Sequence, residues 1–540
     1  MKAMKYTITN NRILLVILLF SILTSCSKID EFLGVMPSKG SSKPLQTIEE
    51  LDGILGAYSS FYTESSATLF AGHDDWGLIK EIHDSYAGIY GGTSMPYHYS
   101  PAVWDVPSVE TNGDRGWAES WGKIFRANMV LNNLDKVTGR EELKKELKAE
   151  AHFIRAYEMY MLANIFCLPY TNTNKANKAE MGLPLKQSTS FEESVERASL
   201  EDTYKFIEAD LEEALKITTP LIRANDGVLR AWRGNKTGVK AFAARYHLYQ
   251  GDYTKALNYA NAALGEYSTL VDYNVNNKVG GMAWGLSKNY TIDQGTPQQQ
   301  TVTVKYPYGH DNQSDPTDRM AWKEHLYMRF MYDGSWWFIP SRELLDLYDK
   351  TYDRRYEYNY VQGYSYDRGV IKPSYNYPGY IRFFKDNLPS GPTVAEVYLI
   401  KAECHARLNQ VPEAQTAINI LRAKRMNSTA PSSVINLTFA NKQDAITKIL
   451  QERRRELAFV QRWNDVRRLN NNDDTTDDVV MTRTFYGYSA SAILNLEPVK
   501  TFTLPKNSRR FATPIPYTDI VAGQGKIKQN TYDANSVLIQ

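Results

Sequence analysis

The sequence predicts a mostly α protein built from stacked, tetratricopeptide-like helical hairpins, about four pairs, with long irregular loops and a few short strands. Three observations carry this. Two stretches, Glu141–Phe166 and Asp444–Arg468, run without Pro or Gly and repeat apolar residues at three- and four-residue intervals. Two Ala-rich pairs, Thr237–Leu248 with Tyr253–Ala263 and Val394–Leu408 with Glu413–Arg425, are each split by a short turn. Helices of that kind cannot bury their apolar faces singly, so they stack. Finally, residues 71–113 and 265–392 are dense in Tyr, Trp, Gly, Pro, Asn and Asp with no sustained period, which reads as loops.

The chain opens with Lys2, Lys5 and Arg12 ahead of the apolar run Ile13–Leu23, which is too short to span a bilayer. Leu23-Thr24-Ser25-Cys26 follows and fits a bacterial lipobox. We therefore expect a lipoprotein signal peptide over residues 1–25 and lipidation at Cys26. A Pro/Gly/Ser/Lys tract through Pro44 reads as an anchored linker over residues 26–44. Residues 45–540 then form a single helical body. The first helix is expected over Ile48–Tyr62, with Glu49, Glu50 and Asp52 in its early turns, where acids favour the helix dipole. Helical pattern returns at Trp117–Lys136, at Glu141–Phe166 up to the stop Leu168-Pro169, and at Ser199–Ile217. Thr301–Tyr306 alternates like a strand, and Pro340-Ser341 opens a short helix that Ser341 can cap. Cys167 and Cys404 fall in apolar helical contexts and read as buried thiols, a mutual disulfide being the alternative.

Asp444–Arg468 is the most charged of the helical stretches. Ile446, Ile449, Leu450, Leu457, Val460, Trp463 and Val466 make its apolar stripe. Glu452 with Arg455, Arg453 with Glu456, Arg462 with Asp465, and Asp465 with Arg468 stand at pairing distance along a helix. Exposed pairs of that kind contribute only a few tenths of a kcal/mol, which does not account for so many arginines. The better expectation is structural. Glu452, Arg453, Glu456, Arg462, Trp463, Asp465, Arg467 and Arg468 would fasten this segment to loops and carboxylates elsewhere, using the rigid guanidinium fork.

The string Glu452-Arg-Arg-Arg-Glu-Leu-Ala-Phe459, followed by Arg462-Trp-Asn-Asp-Val-Arg-Arg468, resembles the C-terminal signature of the SusD/RagB family of outer-membrane nutrient-binding lipoproteins. Trp121, Asn128 and Leu131, then Arg155-Ala156 and Tyr160, match that family in kind. So do Tyr398-Leu-Ile-Lys-Ala-Glu403, the Pro340-Ser-x-Glu-Leu run, Asp353-Arg354-Arg355, and the closing Thr513-Pro-Ile-Pro516 with Gln529-Asn530. Val460-Gln461 stands where relatives commonly carry a Glu-Gly pair, so the helix is expected to continue unbroken there.

Composition limits the function. A formal charge of +2 on 540 residues leaves no electrostatic footprint for nucleic acid. His73-Asp74-Asp75-Trp76 invites a carboxylate-pair reading, but adjacent acids point apart in most backbones, and no enzyme is expected. His73, His83 and His98 have no zinc spacing. Asp473, Asp474, Asp477 and Asp478 lack the Gly and final Glu of an EF-hand loop, so a structural calcium has no support and no cofactor is expected. Binding fares better. Aromatic residues make up 12% of the chain, with 37 tyrosines, many of them in the loop regions. Such faces suit sugar rings, and they would suit a protein interface nearly as well.

The resemblance implies more than the residues show. It implies a SusD-like fold and an outward-facing, lipid-anchored place in the cell outer membrane. It also implies a partner, a SusC-like TonB-dependent outer-membrane receptor that takes an oligosaccharide from this protein. The alternative is a peptide-binding component of the same kind of complex; a lipid-anchored glycoside hydrolase stands further off. Carried over by position, Trp76 with Asp75 beside it, Tyr97 and Trp104 are the expected ligand contacts in the first loop region, with Trp284 and Tyr306 from the second.

Overall fold

The computed structural model describes residues 45–79, 99–172, 174–222, 227–275, 278–279, 282–283, 286–292, 295–297, 299–306, 320, 322–331, 338–361, 377–380, 388–485, 498–533 and 538–539. Its long helices are α1 (Ile48–Gly56), α2 (Gly116–Leu131), α3 (Glu141–Phe166), α4 (Leu200–Ala214) and α5 (Lys236–Tyr249). They continue with α6 (Tyr253–Glu266), α7 (Val394–Arg407), α8 (Val411–Arg422), α9 (Lys442–Glu456) and α10 (Arg462–Leu469). Most start where a short polar side chain takes up a first-turn amide. Thr47 and Glu50 form a reciprocal box on α1, and Ser199, Asn235, Asp252, Thr393 and Asn441 cap α4, α5, α6, α7 and α9.

α2–α3, α5–α6 and α7–α8 are helical hairpins. α4 packs on α3, α6 on α7, and α9 closes against α7 and α8. The two Ala-rich hairpins turn in the same way: Gly251 (φ 73°) after α5 and Asn409 (φ 61°) after α7 both adopt the left-handed cap conformation that Gly and Asn tolerate best. α3 shows why the stack holds. Every residue from Phe153 to Phe166 is buried, so its last four turns are enclosed on all sides by neighbouring helices and loops. In α6 the buried face is Ala256, Ala260 and Ala263, whose small side chains suit close helix approach. A second, smaller apolar cluster lies where α1 meets α2 and the start of α3.

Short strands tie distant loops together. Thr63–Glu64 pairs parallel with Phe330–Met331, which pairs antiparallel with Leu388–Pro389. Leu286–Ile292 and Gln300–Tyr306 form a hairpin, and Met481–Phe485, Lys500–Leu504 and Leu538–Ile539 form a three-stranded sheet. Cys167 and Cys404 are both buried free thiols.

In the acidic stretch 470–478, which contains the 3-10 turn Thr475–Asp477, Arg407 holds Asp474 and Asp477 while Lys506 holds Asp478. Two expectations need correction. Residues 71–113 are not all irregular, because Val106–Asn112 is a helix with Pro107 in its first turn. The second is the segment 444–468, which is two helices rather than one. The chain turns at Leu457–Gln461 with Phe459 at φ 69°. The conformation that Gly would favour is imposed on a phenylalanine by what surrounds it, as the site geometry shows.

Candidate ligand-binding face

The arginines of α9 and α10 reach outward from the helices into the rest of the fold. Glu452 accepts from Arg355 at 2.7 Å, Arg422 at 2.5 Å and Arg455 at 2.6 Å. Glu456 accepts from Arg355 and Arg425, each at 3.0 Å, and Arg425 also holds Glu324 at 2.7 Å. Arg453 takes Asp465 at 2.8 Å, and Arg468 takes both Asp465 and Glu403. Of the four helical pairs expected from spacing, Glu452–Arg455 and Asp465–Arg468 form. Arg453 and Glu456 turn instead to other partners, and Arg462 leaves Asp465 for Asp74. Burial alone would raise the Glu452 carboxyl, yet Arg355, Arg422 and Arg455 hold it well below the usual carboxylate range. Asp465 is likewise held down to about 2, its burial outweighed by Arg453 and Arg468. Among the described residues Arg467 pairs with no carboxylate; it donates to the carbonyls of Cys167 at 2.8 Å and of Phe511. Trp463, buried, donates its indole N–H to the Asn164 carbonyl.

Two more arginines fix the segment that begins the first aromatic loop. Arg454 donates to Asp75 at 2.5 Å, and Arg462 makes a two-pronged contact with Asp74 at 2.6 and 2.7 Å. The second oxygen of Asp75 accepts the Phe459 amide at 3.1 Å. Arg483, from the strand Met481–Phe485, donates to the carbonyls of Ala71, His73 and Trp76. Its ordinary alternation with Thr482 and Thr484 gave no hint of that role.

The Phe459 ring lies 5.2 Å from Phe338, 5.1 Å from Tyr380 and 6.1 Å from His73, centroid to centroid. Around it, Trp76 bridges Pro340, Gly77 donates to the Ile339 carbonyl at 2.7 Å, and Ser341 donates to the Asp75 carbonyl at 2.7 Å. A Cβ on Gly77 would come within 2.5 Å of the Pro340 carbonyl oxygen, so this approach requires glycine. Phe338 and Tyr380 exchange backbone hydrogen bonds, and Tyr360–Val361 pairs with Gly379–Tyr380. Tyr99 stacks on Phe485 at 5.0 Å.

These contacts gather the flanks of five sequence segments, 80–98, 332–337, 362–376, 381–387 and 486–497, onto one rigid platform. The segments are rich in aromatics: Tyr86, Tyr90 and Tyr97; Tyr332, Trp336 and Trp337; Tyr364, Tyr366 and Tyr375; Phe383 and Phe384; Tyr486 and Tyr488.

Three expected ligand contacts belong to the platform itself. Asp75 is fully buried and engaged by Arg454 and Phe459. Trp76 is 3% exposed and packs edge-on to Phe70, with centroids 5.4 Å apart. Trp104 is 4% exposed, and its indole N–H donates to the Gly72 carbonyl at 2.9 Å. A ring sealed in the core cannot stack on a ligand, and a buried carboxylate whose two oxygens are taken by Arg454 and Phe459 cannot meet one, so these three are corrected to structural residues. Tyr97 and Trp284 lie outside the described residues. Tyr306 ends the strand Gln300–Tyr306, opposite Leu286, and its side chain also lies outside them. Among the described residues no cluster of three or more His, Cys, Asp or Glu side chains could hold a metal ion, and no helix is long and apolar enough to cross a membrane.

Comparison with known proteins gives a consistent result. Residues 24–248 match a SusD-like family described as "Starch-binding associating with outer membrane". A SusD-like protein P2 of Formosa agariphila is 24% identical over 507 residues, covering 84% of this chain and 89% of that one. Among solved structures, a putative sugar binding protein from Bacteroides vulgatus superposes with a TM-score of 0.58 at 17% identity, covering 91% of this chain and 99% of that one. A SusD superfamily protein from Bacteroides thetaiotaomicron gives 0.58 at 16% identity, covering 90% and 100%. A laminarin binding SusD-like protein gives 0.53 at 19%, covering 90% and 99%. At such identities the structures share the fold. Because the SusD family profile itself spans residues 242–532, over half of the chain, this protein belongs to the SusD/RagB family.

Proposed function

We propose that this protein is a cell-surface lipoprotein that captures an oligosaccharide and passes it to a TonB-dependent outer-membrane transporter. The observation that carries the reading is that described residues flanking aromatic-rich stretches of sequence, Phe338, Tyr360 and Tyr380 among them, meet around Phe459. Sugar rings present C–H faces between hydroxyls, and Tyr and Trp offer flat apolar faces with a polar edge at low ordering cost. A site of that kind binds without making or breaking a bond, and its specificity resides in the loops while the arginine-fastened helices keep their bases fixed.

The family membership supports the binding role, and the laminarin-binding relative has the same fold. Tyr97, Trp284 and Tyr306 are the contacts proposed for the ligand. The lipobox ending in Cys26 supports residues 1–25 as a cleaved signal peptide, residues 26–44 as the tether and residues 45–540 as the body. Two or three acyl chains at Cys26 would give stable attachment where one would be marginal.

The test is a glycan array on the mature protein, with a peptide library alongside, followed by calorimetry on each hit. The reading expects at least one oligosaccharide to bind, and its affinity to fall at least tenfold in Tyr97→Ala or Trp284→Ala. Binding confined to peptides would replace the ligand class. Copurification of a TonB-dependent receptor with the tagged lipoprotein tests the partner.

A further inference from the structure

α2 borders a partly open apolar groove that no described residue fills. Trp121, Ile124 and Phe125 form one wall of a groove of about 310 Å³, and the loop bearing Phe191 and Val195 forms the other, with Ile527 at one end. Phe191 is 98% exposed and Phe125 is 38% exposed, so two large rings stand in solvent on either side of the same groove. Several polar groups along the rim are already committed. The Asn128 amide donates to the Lys186 and Ser188 carbonyls and accepts from Arg155. Lys186 and Ser188 both turn to Glu193. A sugar would find few partners here, whereas an apolar peptide side chain would lose nothing.

We propose that this groove is the docking site of the chain's own segment between Cys26 and Leu45, with Phe32 and Leu33 as the seated side chains. That segment carries Ile29, Phe32, Leu33, Val35 and Met36, more apolar bulk than a solvated tether needs. The chain enters the body at Leu45, which packs on the cluster under α1 together with Leu131, at the C-terminal end of α2. Asn132, one residue on, holds the Gln187 carbonyl of the groove's loop wall at 2.9 Å. From Leu131 back to Trp121 is about 15 Å along the helix. The thirteen steps from Leu45 to Phe32 span up to about 43 Å when extended, ample to reach. The buried indole N–H of Trp121 has no acceptor among the described residues, and a peptide carbonyl lying along the groove would supply one, which a hydrocarbon chain could not. Docking there would fix the side of the body from which the tether leaves, and it holds whether or not Cys26 is lipidated.

The test uses the full-length protein in the cell envelope, carrying Phe32→Cys with Phe191→Cys. Cys167 and Cys404 are buried and contribute little background. After mild oxidation we expect a disulfide-linked pair of tryptic peptides, 29–39 and 187–197, within one monomer. Phe32→Cys with Ile420→Cys, an exposed position on α8 at the other end of the stack, should not link. No link at Phe191, equal linking at Ile420, or a link only between two copies would overturn the proposal, the last assigning the groove to a second copy. Phe191→Asp alters a solvent-exposed side chain and should speed tryptic cleavage after Lys39 several-fold; an unchanged rate would also overturn it. Membrane fractionation of Cys26→Ala reports separately on the anchor.

Discussion

Asp75 accepts a hydrogen bond from the backbone amide of Phe459 at 3.1 Å, joining residues 384 positions apart in the chain. With Arg454 on its other oxygen, this carboxylate locks the α9–α10 turn to the base of the first aromatic loop. Asp75→Ala leaves Arg454 without its closest carboxylate in a largely buried setting, so we expect a loss of about 3–5 kcal/mol in urea-derived stability. Circular dichroism of the refolded variant should keep its helical signal.

Phe459 adopts φ 69° and is fully buried, so its side chain stabilises a backbone conformation that it locally disfavours. Phe459→Ala and Phe459→Gly should both destabilise, by about 3–5 kcal/mol for the lost ring. Their order should be the reverse of that in a helix, with Gly the more stable by about 1 kcal/mol because it pays no left-handed strain. Parallel denaturation of the two variants checks this.

Glu452 gathers three guanidiniums in a site with no solvent exposure. Glu452→Gln keeps the shape, removes the charge and leaves Arg355, Arg422 and Arg455 undercompensated. A loss of about 3–5 kcal/mol in denaturant unfolding is expected. The same change at the exposed Glu141, paired with Lys144, should cost under about 1 kcal/mol.

Trp104→Ala and Tyr97→Ala separate scaffold from ligand surface. Trp104 is buried, and its loss should lower stability by about 3–5 kcal/mol. Tyr97→Ala should leave the melting temperature within a few degrees and act on glycan affinity in calorimetry.

His73 is fully buried, and burial lowers its pKa to about 4, outweighing the attraction of Asp75 and Asp74. His247, stacked on Tyr259, is also lowered to about 4 by burial. Unfolded histidine takes up a proton near pH 6.5, and the folded side chains do so only near pH 4, so between these values the unfolded state binds more protons. Stability is therefore full above pH 6.5 and falls as pH drops towards 4. His73→Asn, whose amide oxygen can replace Nδ1 as acceptor of the Asp75 amide, should flatten that slope in urea titrations between pH 7 and pH 4.

The helices were legible in the sequence because their signals are local. Glu141–Phe166 was expected with the bounds it has, and the Gly251 and Asn409 turns lie where the Ala-rich periods break. Residues 71–79 show the limit. A Trp beside two acids reads as exposed binding chemistry, but Asp74 and Asp75 are there to meet Arg462 and Arg454, nearly 400 residues away. Phe338 and Tyr380, which complete the platform, carry no periodicity that could mark them.

The sequence by itself determined the stacked hairpins, the family signature and the need of the α9–α10 arginines for partners beyond their own helix. The tertiary structure decided which acid each arginine meets, that the helix breaks at Phe459, and that Trp76 and Trp104 are scaffold. The division has a physical cause. Helical period, caps and turns are settled within a few residues, whereas burial and ion pairing depend on what the completed fold brings alongside.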